Sequence, residues 1–298
     1  MSSTATSHAR HVRSLLLMLF STACFTANVL LVRALGPMHA ANAWLVSSAR
    51  FVVGLAFVLI FFRAEVQPSH LVRNRLLIHR GLFGGVTAFL TYLTVVKIGA
   101  GRAIFIGNTY VIWGALLAAW LLKERLRSTL IGGAVAALAG LALLTNIFTH
   151  RAHPGLYDLL AVVGALLSAW VVVTIRQLHA TEHTSTIFTA QCAYGLLICA
   201  GPTLASFAPV SPAAWVMIGL AGLAATGGQL SFTHAFRDLS VAEGSLLQMI
   251  VPLGVALGGV LLFHEHFTSG ELLGAVLILA GTALPAWQGR PLPPSAVS

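Results

Sequence analysis

Ten long apolar stretches, nearly free of charged residues, constrain this chain more than any other feature of its sequence. Each is about 20 residues long, the length that an α-helix needs to cross the hydrocarbon core of a bilayer. The stretches cover residues 14–32, 42–62, 78–97, 102–121, 130–147, 157–176, 187–207, 213–236, 242–263 and 270–288. The sequence therefore predicts an all-α integral membrane protein with ten transmembrane helices.

The charge content also favours lipid as the main solvent. Only 8% of the 298 residues are charged and 57% are hydrophobic, whereas a soluble domain has about 25% charged residues. The 17 basic residues outnumber the 8 acidic ones, but most of them lie between the apolar stretches, where they meet anionic headgroups. We therefore expect a lipid bilayer, and no nucleic acid, as the partner of this charge.

The positions of the basic residues predict how the chain is oriented. With a cytoplasmic N-terminus, most of the 17 lysines and arginines fall on cytoplasmic segments, Arg80 among them, and Arg50 lies within a span. Cytoplasmic loops carry the excess of Lys and Arg in membrane proteins. The sequence predicts a multi-pass protein of the cell's inner (plasma) membrane with both termini in the cytoplasm.

The chain also contains an internal repeat. A shift of 141 residues lays 98–144 on 239–285 without a gap. Identical residues then meet: Glu124 and Glu265, Gly133 and Gly274, Gly140 and Gly281. Because each repeat holds five helices, an odd number, the second must be inserted upside down, as in many secondary transporters. We predict two inverted five-helix repeats, in domains 1–150 and 151–298.

The second repeat carries the motifs by which the sequence resembles a known family. These are Phe236-Arg237-Asp238, Pro252, Leu262-Phe263-His264-Glu265, Leu273-Gly274-Ala275 and Leu279-Ala280-Gly281. In this pattern the chain is similar to the EamA family of the drug/metabolite transporter superfamily. It departs from that pattern at His264, where the family has glycine, and at Val111, where it has proline.

The resemblance implies a basket in which helices 1–4 and 6–9 surround a central cavity. It also implies transport of a small molecule, with amino acids or related carboxylate-bearing compounds as our best expectation and export as the commoner direction. Import of a nucleotide-like or vitamin-like compound is the alternative, and an intramembrane enzyme acting on a lipid-linked substrate is a weaker one. Oligomeric state and coupling ion are not predicted.

Arg50 is the sharpest candidate for binding the substrate. A charge within a span is costly and normally faces a cavity or a partner, and a guanidinium suits a carboxylate or phosphate. The alternative is a structural role, bonding to helix-end carbonyls or to Gln191, its counterpart in the other repeat. Both interpretations remain open at this stage.

Further polar and aromatic residues within the spans complete the predicted site. Amides in hydrocarbon need partners, and helix-to-helix bonding is the alternative for each of them. Asn108, Gln229 and Gln248 lie near mid-span on helices that the family places around the cavity, so we favour these three. The remaining candidate substrate-binding residues are Asn28, Tyr92, Trp113, Trp170 and Gln191.

Other chemistry finds less support in the sequence. No acid lies deep in a span, and His234 and Glu243 are weak candidates for proton coupling. Glu124 and Glu265 each follow a span and could hold the N-terminus of the next helix. Cys24, Cys192 and Cys199 lie in apolar runs as small core residues. We predict no metal, no cofactor and no enzymatic activity, since no set of acid, base and nucleophile gathers at one depth; a channel is also disfavoured.

Overall fold

The structure, a computed structural model, describes residues 2–35, 42–147, 155–264, 266 and 268–287. Within these ranges the chain forms α-helices and no strand. The first half holds α1 Ser2–Ala34, α2 Ala43–Phe61, α3 Pro68–Arg73, α4 Arg75–Ile98, α5 Ala100–Asn108, α6 Tyr110–Leu121 and α7 Ser128–Leu144. The second half holds α8 Leu156–Leu178, α9 Thr184–Ala205, α10 Pro212–Ala235, α11 Val241–Leu247, α12 Ile250–Phe263 and α13 Ser269–Trp287. The predicted Glu265 lies outside the described residues.

Eight spans in the described chain are long and apolar enough to cross a membrane, so the protein is a multi-pass membrane protein. Two further apolar helices, Ser128–Leu144 and Ser269–Ala283, are shorter than a full span. They belong to α7 and α13, which pack on each other. The prediction of ten full-length transmembrane helices is therefore confirmed only in its coarser form, as a helical membrane protein built of two repeats.

Two of the spans are broken near their middle, one in each half. Thr109 separates α5 from α6, and its hydroxyl bonds back to the carbonyl of Ile106 at 2.6 Å. Gln248 and Met249 separate α11 from α12, because Pro252 has no N–H to donate to the carbonyl four residues earlier. The first break forms without a proline. The span of the first half is therefore broken even though residue 111 is valine and not the proline of the family pattern.

The two halves run in opposite directions through the bundle. His11, near the start of α1, lies beside Glu243 near the start of α11. The end of α8 reaches the same side, where Arg176 lies 3.6 Å from Glu124. We call this side the N-terminal face. Since α1 and α8 are the first helices of the two halves, their opposite directions are those of an inverted repeat.

Glycines at equivalent positions of the two halves bring α7 and α13 into backbone contact. A Cβ built on Gly140 would lie 2.5 Å from the carbonyl oxygen of Gly274, and one built on Gly281 would lie 2.6 Å from that of Gly133. The contacts cross, since Gly133 corresponds to Gly274 and Gly140 to Gly281. Small residues of this kind let helices approach closely in lipid, and here they do so around the pseudo-two-fold axis.

Candidate functional site

Two arginines on neighbouring helices form the centre of the candidate site. Arg50 lies on α2 and Arg80 on α4, and their guanidinium groups are close enough to repel each other electrostatically. The sequence counted Arg80 among the charges of the cytoplasmic side and did not predict its burial. Because α4 begins at Arg75, Arg80 lies in its second turn, and its side chain is completely buried.

Each arginine is bonded to a glutamine of the second half. The Nη2 of Arg50 donates to Oε1 of Gln229 on α10 at 3.3 Å. The Nη2 of Arg80 donates to Oε1 of Gln191 on α9 at 2.7 Å. We call these four residues the arginine–glutamine site. They include Gln191, which the sequence offered as a partner of Arg50 but which bonds Arg80 instead.

The surroundings of the arginine–glutamine site are neutral. The guanidinium carbon of Arg50 lies 5.9 Å from the ring centroid of Phe25 on α1, a cation–π distance. Within the described part of the chain neither arginine forms an ion pair with a carboxylate, and the Nε and Nη1 of Arg80 have no hydrogen-bond partner. Two guanidinium groups thus share an interior with no anion to balance them.

A run of glycines explains how Arg80 fits between α4 and α9. A Cβ built on Gly85 would lie 2.8 Å from the Cα of Gly195, so the two backbones touch there. A Cβ on Gly84 would collide with Nη1 of Arg80 and lie 3.4 Å from the Cγ of Gln191. Glycine at position 84 therefore leaves the space that the guanidinium occupies.

A cavity of about 610 Å³ opens at the N-terminal face, and none of the four residues of the arginine–glutamine site lines it. Its lining includes the charged and polar side chains of Arg13, Glu65 and His183. Leu17 on α1 and Leu230 on α10 also line it. Polar and apolar side chains in one cavity suit a small amphipathic molecule.

His179 on the wall of this cavity is held neutral. Its Nε2 lies 2.6 Å from the carbonyl oxygen of Thr233, which accepts the ring N–H. Burial lowers the pKa of His179 to about 4. Therefore the imidazole acts as a hydrogen-bond donor between α8 and α10 near neutral pH and carries no charge there.

The other predicted site residues lie elsewhere in the bundle. Asn108 lines a separate cavity of about 200 Å³ between α4, α5 and α8, and its Nδ2 donates to the carbonyl of Ile104 at 2.8 Å. Asn28 is buried and donates to the carbonyl of Ala221 at 2.8 Å, which ties α1 to α10. Gln248 lies 2.9 Å from Sδ of Met18.

The aromatic candidates are also apart from the two arginines. Tyr92 packs against an apolar cluster that includes Leu45 and Ile218. Trp170 is half-buried on α8, and its indole N–H has no partner in the described chain. Trp113 is 40% exposed, on the side of α6 away from its buried residues. A substrate role for these residues stays a prediction.

Glu124 holds a helix, though not the one predicted. Its Oε2 accepts the backbone N–H of Val241 at 3.1 Å, so it caps α11 of the other half and not the following α7. Burial raises the pKa of its carboxyl group, with the Val241 N–H and Arg176 acting in the opposite direction. The contact joins the two repeats at the N-terminal face.

The sequence missed Phe25 and Arg80, for different reasons. Phe25 is one apolar residue among many in α1, and nothing in the sequence marks it. Arg80 had a signal in the glycines that follow it, Gly81, Gly84 and Gly85, since glycine beside a charge within an apolar run indicates room for a side chain.

Comparison with known proteins agrees with this architecture. The profile of the EamA-like transporter family matches twice, at residues 12–146 and 155–286. A solved crystal structure of a protein superposes with a TM-score of 0.79 at 19% sequence identity, over 93% of this chain and 97% of the other, and shows the same fold. No curated protein matches the sequence. Because the family profile covers nearly the whole chain, this protein belongs to the EamA-like transporter family.

Proposed function

We propose that this protein is a secondary transporter that carries a small carboxylate-bearing metabolite across the inner membrane by alternating access. The observation that carries the proposal is the pair of arginines, Arg50 and Arg80, with no carboxylate partner in the described chain. A buried charge is stabilised by a counter-charge or it is expensive. A bound anion would provide that counter-charge.

The bonds at the site favour a carboxylate. A guanidinium presents its N–H groups in a planar fork that matches a carboxylate with two parallel hydrogen bonds. Arg80 keeps Nε and Nη1 without partners, and Arg50 gives Nη2 to a neutral amide at 3.3 Å, a long bond that an anion could replace. Gln229 would then be released to bond the substrate.

The aromatic neighbour favours a substrate that also has an apolar part. The ring of Phe25 lies 5.9 Å from the guanidinium carbon of Arg50. An amino acid or a related metabolite combines a carboxylate with an apolar side chain of this size. Amino acids are therefore the first class to test, with export as the expected direction.

The broken spans support the alternating-access part of the proposal. The breaks at Thr109 and at Gln248 lie in equivalent spans of the two halves, on opposite sides of the pseudo-two-fold axis. Irregular backbone within a span gives a place where half of a helix can move while the other half stays packed. Movement at one break and then the other would open the two faces in turn.

Counterflow of radiolabelled amino acids in proteoliposomes tests the proposal. We expect saturable uptake of one carboxylate-bearing class, and a fall of about ten- to a hundredfold in the Arg50→Lys variant, because a charge-assisted hydrogen bond contributes about 1.5–3 kcal/mol. Arg63→Lys is the matched control, since Arg63 is an exposed arginine just beyond the end of α2.

The same assay can contradict the proposal. Equal counterflow in Arg50→Lys and wild type would remove Arg50 from the site. Saturable transport of cations or neutral compounds, with none for any carboxylate, would leave the protein a transporter but disprove the substrate class. Size-exclusion profiles of the purified variants separate a folding defect from a transport defect.

A further inference from the structure

One face of α1 is tied to the start of α11 by a row of polar contacts. His11, Ser14, Met18 and Ser21 recur at helical spacing and are all buried. The Nε2 of His11 lies 3.2 Å from Oε1 of Glu243, and Ser14 donates to Asp238 at 2.9 Å. Gln248 approaches Met18 and Ser21 deeper in the bundle. We call the His11–Glu243 contact the N-terminal latch.

The latch is buried, although both of its residues can titrate. His11 is 4% exposed and Glu243 is 8% exposed. Each ring nitrogen of His11 lacks a well-aligned hydrogen bond, so the contact with Glu243 depends on the attraction of opposite charges. That attraction exists only while the imidazole carries a second proton.

Charged groups of several elements surround the latch. Glu243 and Asp238 face His11 from α11 and from the segment before it, and Arg127 faces it from the segment before α7. Glu124 faces Glu243 and is paired with Arg176 of α8. A protonated His11 therefore meets carboxylates from more than one element at this face.

The inverted half has a counterpart of the latch, with the signs of the charges reversed. The Nε of Arg102 on α5 lies 2.6 Å from Oδ1 of Asp158, near the start of α8. The 141-residue shift lays Arg102 on Glu243, and α8 is the counterpart of α1. In the N-terminal latch the base, His11, lies on the first helix of its half. In the counterpart the base, Arg102, lies on the broken span of its half. Unlike histidine, arginine keeps its charge at all physiological pH values.

We propose that His11 and Glu243 form a proton-binding site, and that the proton they share must leave before α1 separates from α11 at the N-terminal face. In the latched state the pair holds the proton as imidazolium and carboxylate. When the imidazolium of His11 gives its proton to water at that face, its attraction to Glu243 ends and α1 can move away. The opposite latch, Arg102–Asp158, opens without exchanging a proton. The inference concerns a proton and not the substrate, so it goes beyond the proposed function and does not depend on it.

Linkage gives the direction of the pH dependence. Because the latched state binds the proton more tightly than the open one, acid favours the latch and a rise in pH favours opening. For one proton, the ratio of open to latched molecules rises up to about tenfold per pH unit.

Distances between spin labels test the proposal without any substrate. Leu16 on α1 and Trp120 on α6 are exposed, and α6 packs on α11. With both changed to Cys in a Cys24→Ala background, pulsed electron paramagnetic resonance gives the separation of the helices in nanodiscs. From about pH 6 to about pH 8 we expect the population with the longer distance to grow in the otherwise wild-type protein.

Three variants decide the origin of that change. His11→Gln and Glu243→Gln should each abolish the pH dependence of the distance, and the second serves if the first fails to fold. His8→Gln is the matched control, since His8 is an exposed histidine one turn earlier on the same helix, and it should keep the wild-type profile. A distance distribution that does not change with pH in the otherwise wild-type protein would overturn the proposal. So would a pH response that persists unchanged in either latch variant.

Discussion

At the N-terminal face α1 is joined to α11 by His11 and Glu243, whereas at the opposite face α8 is joined to α5 by Arg102 and Asp158. Each contact joins the first helix of one half to the broken span of the other, yet one can lose its charge near neutral pH and the other cannot. The glycine contacts between α7 and α13, by contrast, match in both halves to within 0.1 Å, at 2.5 and 2.6 Å.

The difference separates what the fold requires from what it leaves open. Backbones that touch admit only glycine, so packing around the pseudo-two-fold axis restricts both halves in the same way. An ion pair between two helices requires only opposite charges, whichever helix carries the base. Such pairs in the two halves can therefore differ in their response to pH while the architecture stays the same.

The largest effect that we expect is on the permanently charged pair. Arg102→Ala should lower the free energy of unfolding by about 3 kcal/mol or more, because it leaves the carboxylate of Asp158 without its partner in a largely buried place. The loss should be similar at all pH values from about 5 to about 8, since a guanidinium keeps its charge over that range. Unfolding of the detergent-solubilised protein by added sodium dodecyl sulfate at several pH values measures both.

Arg102→His sharpens the same comparison, because it gives the opposite latch a base that loses its charge near neutrality. Stability should then match the wild type most closely in acid and fall as the pH rises. A variant as insensitive to pH as the wild type would show that the charge of residue 102 does not hold α5 to α8.

The next effect concerns His179. Its protonation in acid destabilises the fold, whereas protonation of His11 in acid favours the latch. Because burial lowers its pKa in the folded protein to about 4, the unfolded chain binds the proton more tightly. Stability is fully present above about pH 6.5 and is lost as the pH falls toward 4, by up to about 3 kcal/mol. His179→Gln, which can still donate to Thr233, should remove much of this loss, and exposed His183→Gln should not. Equal acid sensitivity in both variants would exclude His179 as its source.

The sequence predicts those features of the structure that depend on neighbouring residues, and it predicts poorly those that depend on the exact end of a helix. Spans follow from the composition of about 20 neighbouring residues, and Arg50 stands out as a charge inside one of them. Arg80 was missed because it is the third residue of the predicted span 78–97 and was counted with its cytoplasmic end, whereas α4 begins at Arg75 and buries the side chain. Predicted boundaries are uncertain by about 2–4 residues, enough to misplace a residue near a helix end.

The sequence did not predict which side chains contact each other between helices of the bundle. Gln191 was considered a partner of Arg50, but the packing of α4 against α9 gives it to Arg80. Glu243 was only a weak candidate for proton coupling, and its partner, His11, lies 232 residues earlier in the chain. Such pairs depend on which helix faces meet, and only the three-dimensional arrangement decides that.

The glycine contacts give a smaller effect, which should be equal in the two halves. Gly140→Ala and Gly281→Ala each place a methyl group against a backbone carbonyl at 2.5–2.6 Å, and each should cost about 1–3 kcal/mol of the free energy of unfolding. Gly132→Ala, on the same helix but facing open space, should be neutral or stabilise by up to about 1 kcal/mol. A large cost in one half alone would show that the α7–α13 crossing is not symmetric.

The smallest effect concerns Glu124, which joins the two halves at the N-terminal face. Glu124→Ala removes the acceptor for the Val241 N–H and should cost about 1 kcal/mol, as other N-caps do. Glu124→Gln keeps an acceptor oxygen and cannot ionise. Because burial raises the pKa of Glu124, the wild type gains stability from the protonated form in acid and loses it as the pH rises through that raised pKa. Relative to wild type, the Gln variant should therefore become more stable with rising pH. A constant difference between the two from acid to neutral pH would mean that Arg176 and the Val241 N–H fully compensate the burial of this carboxylate.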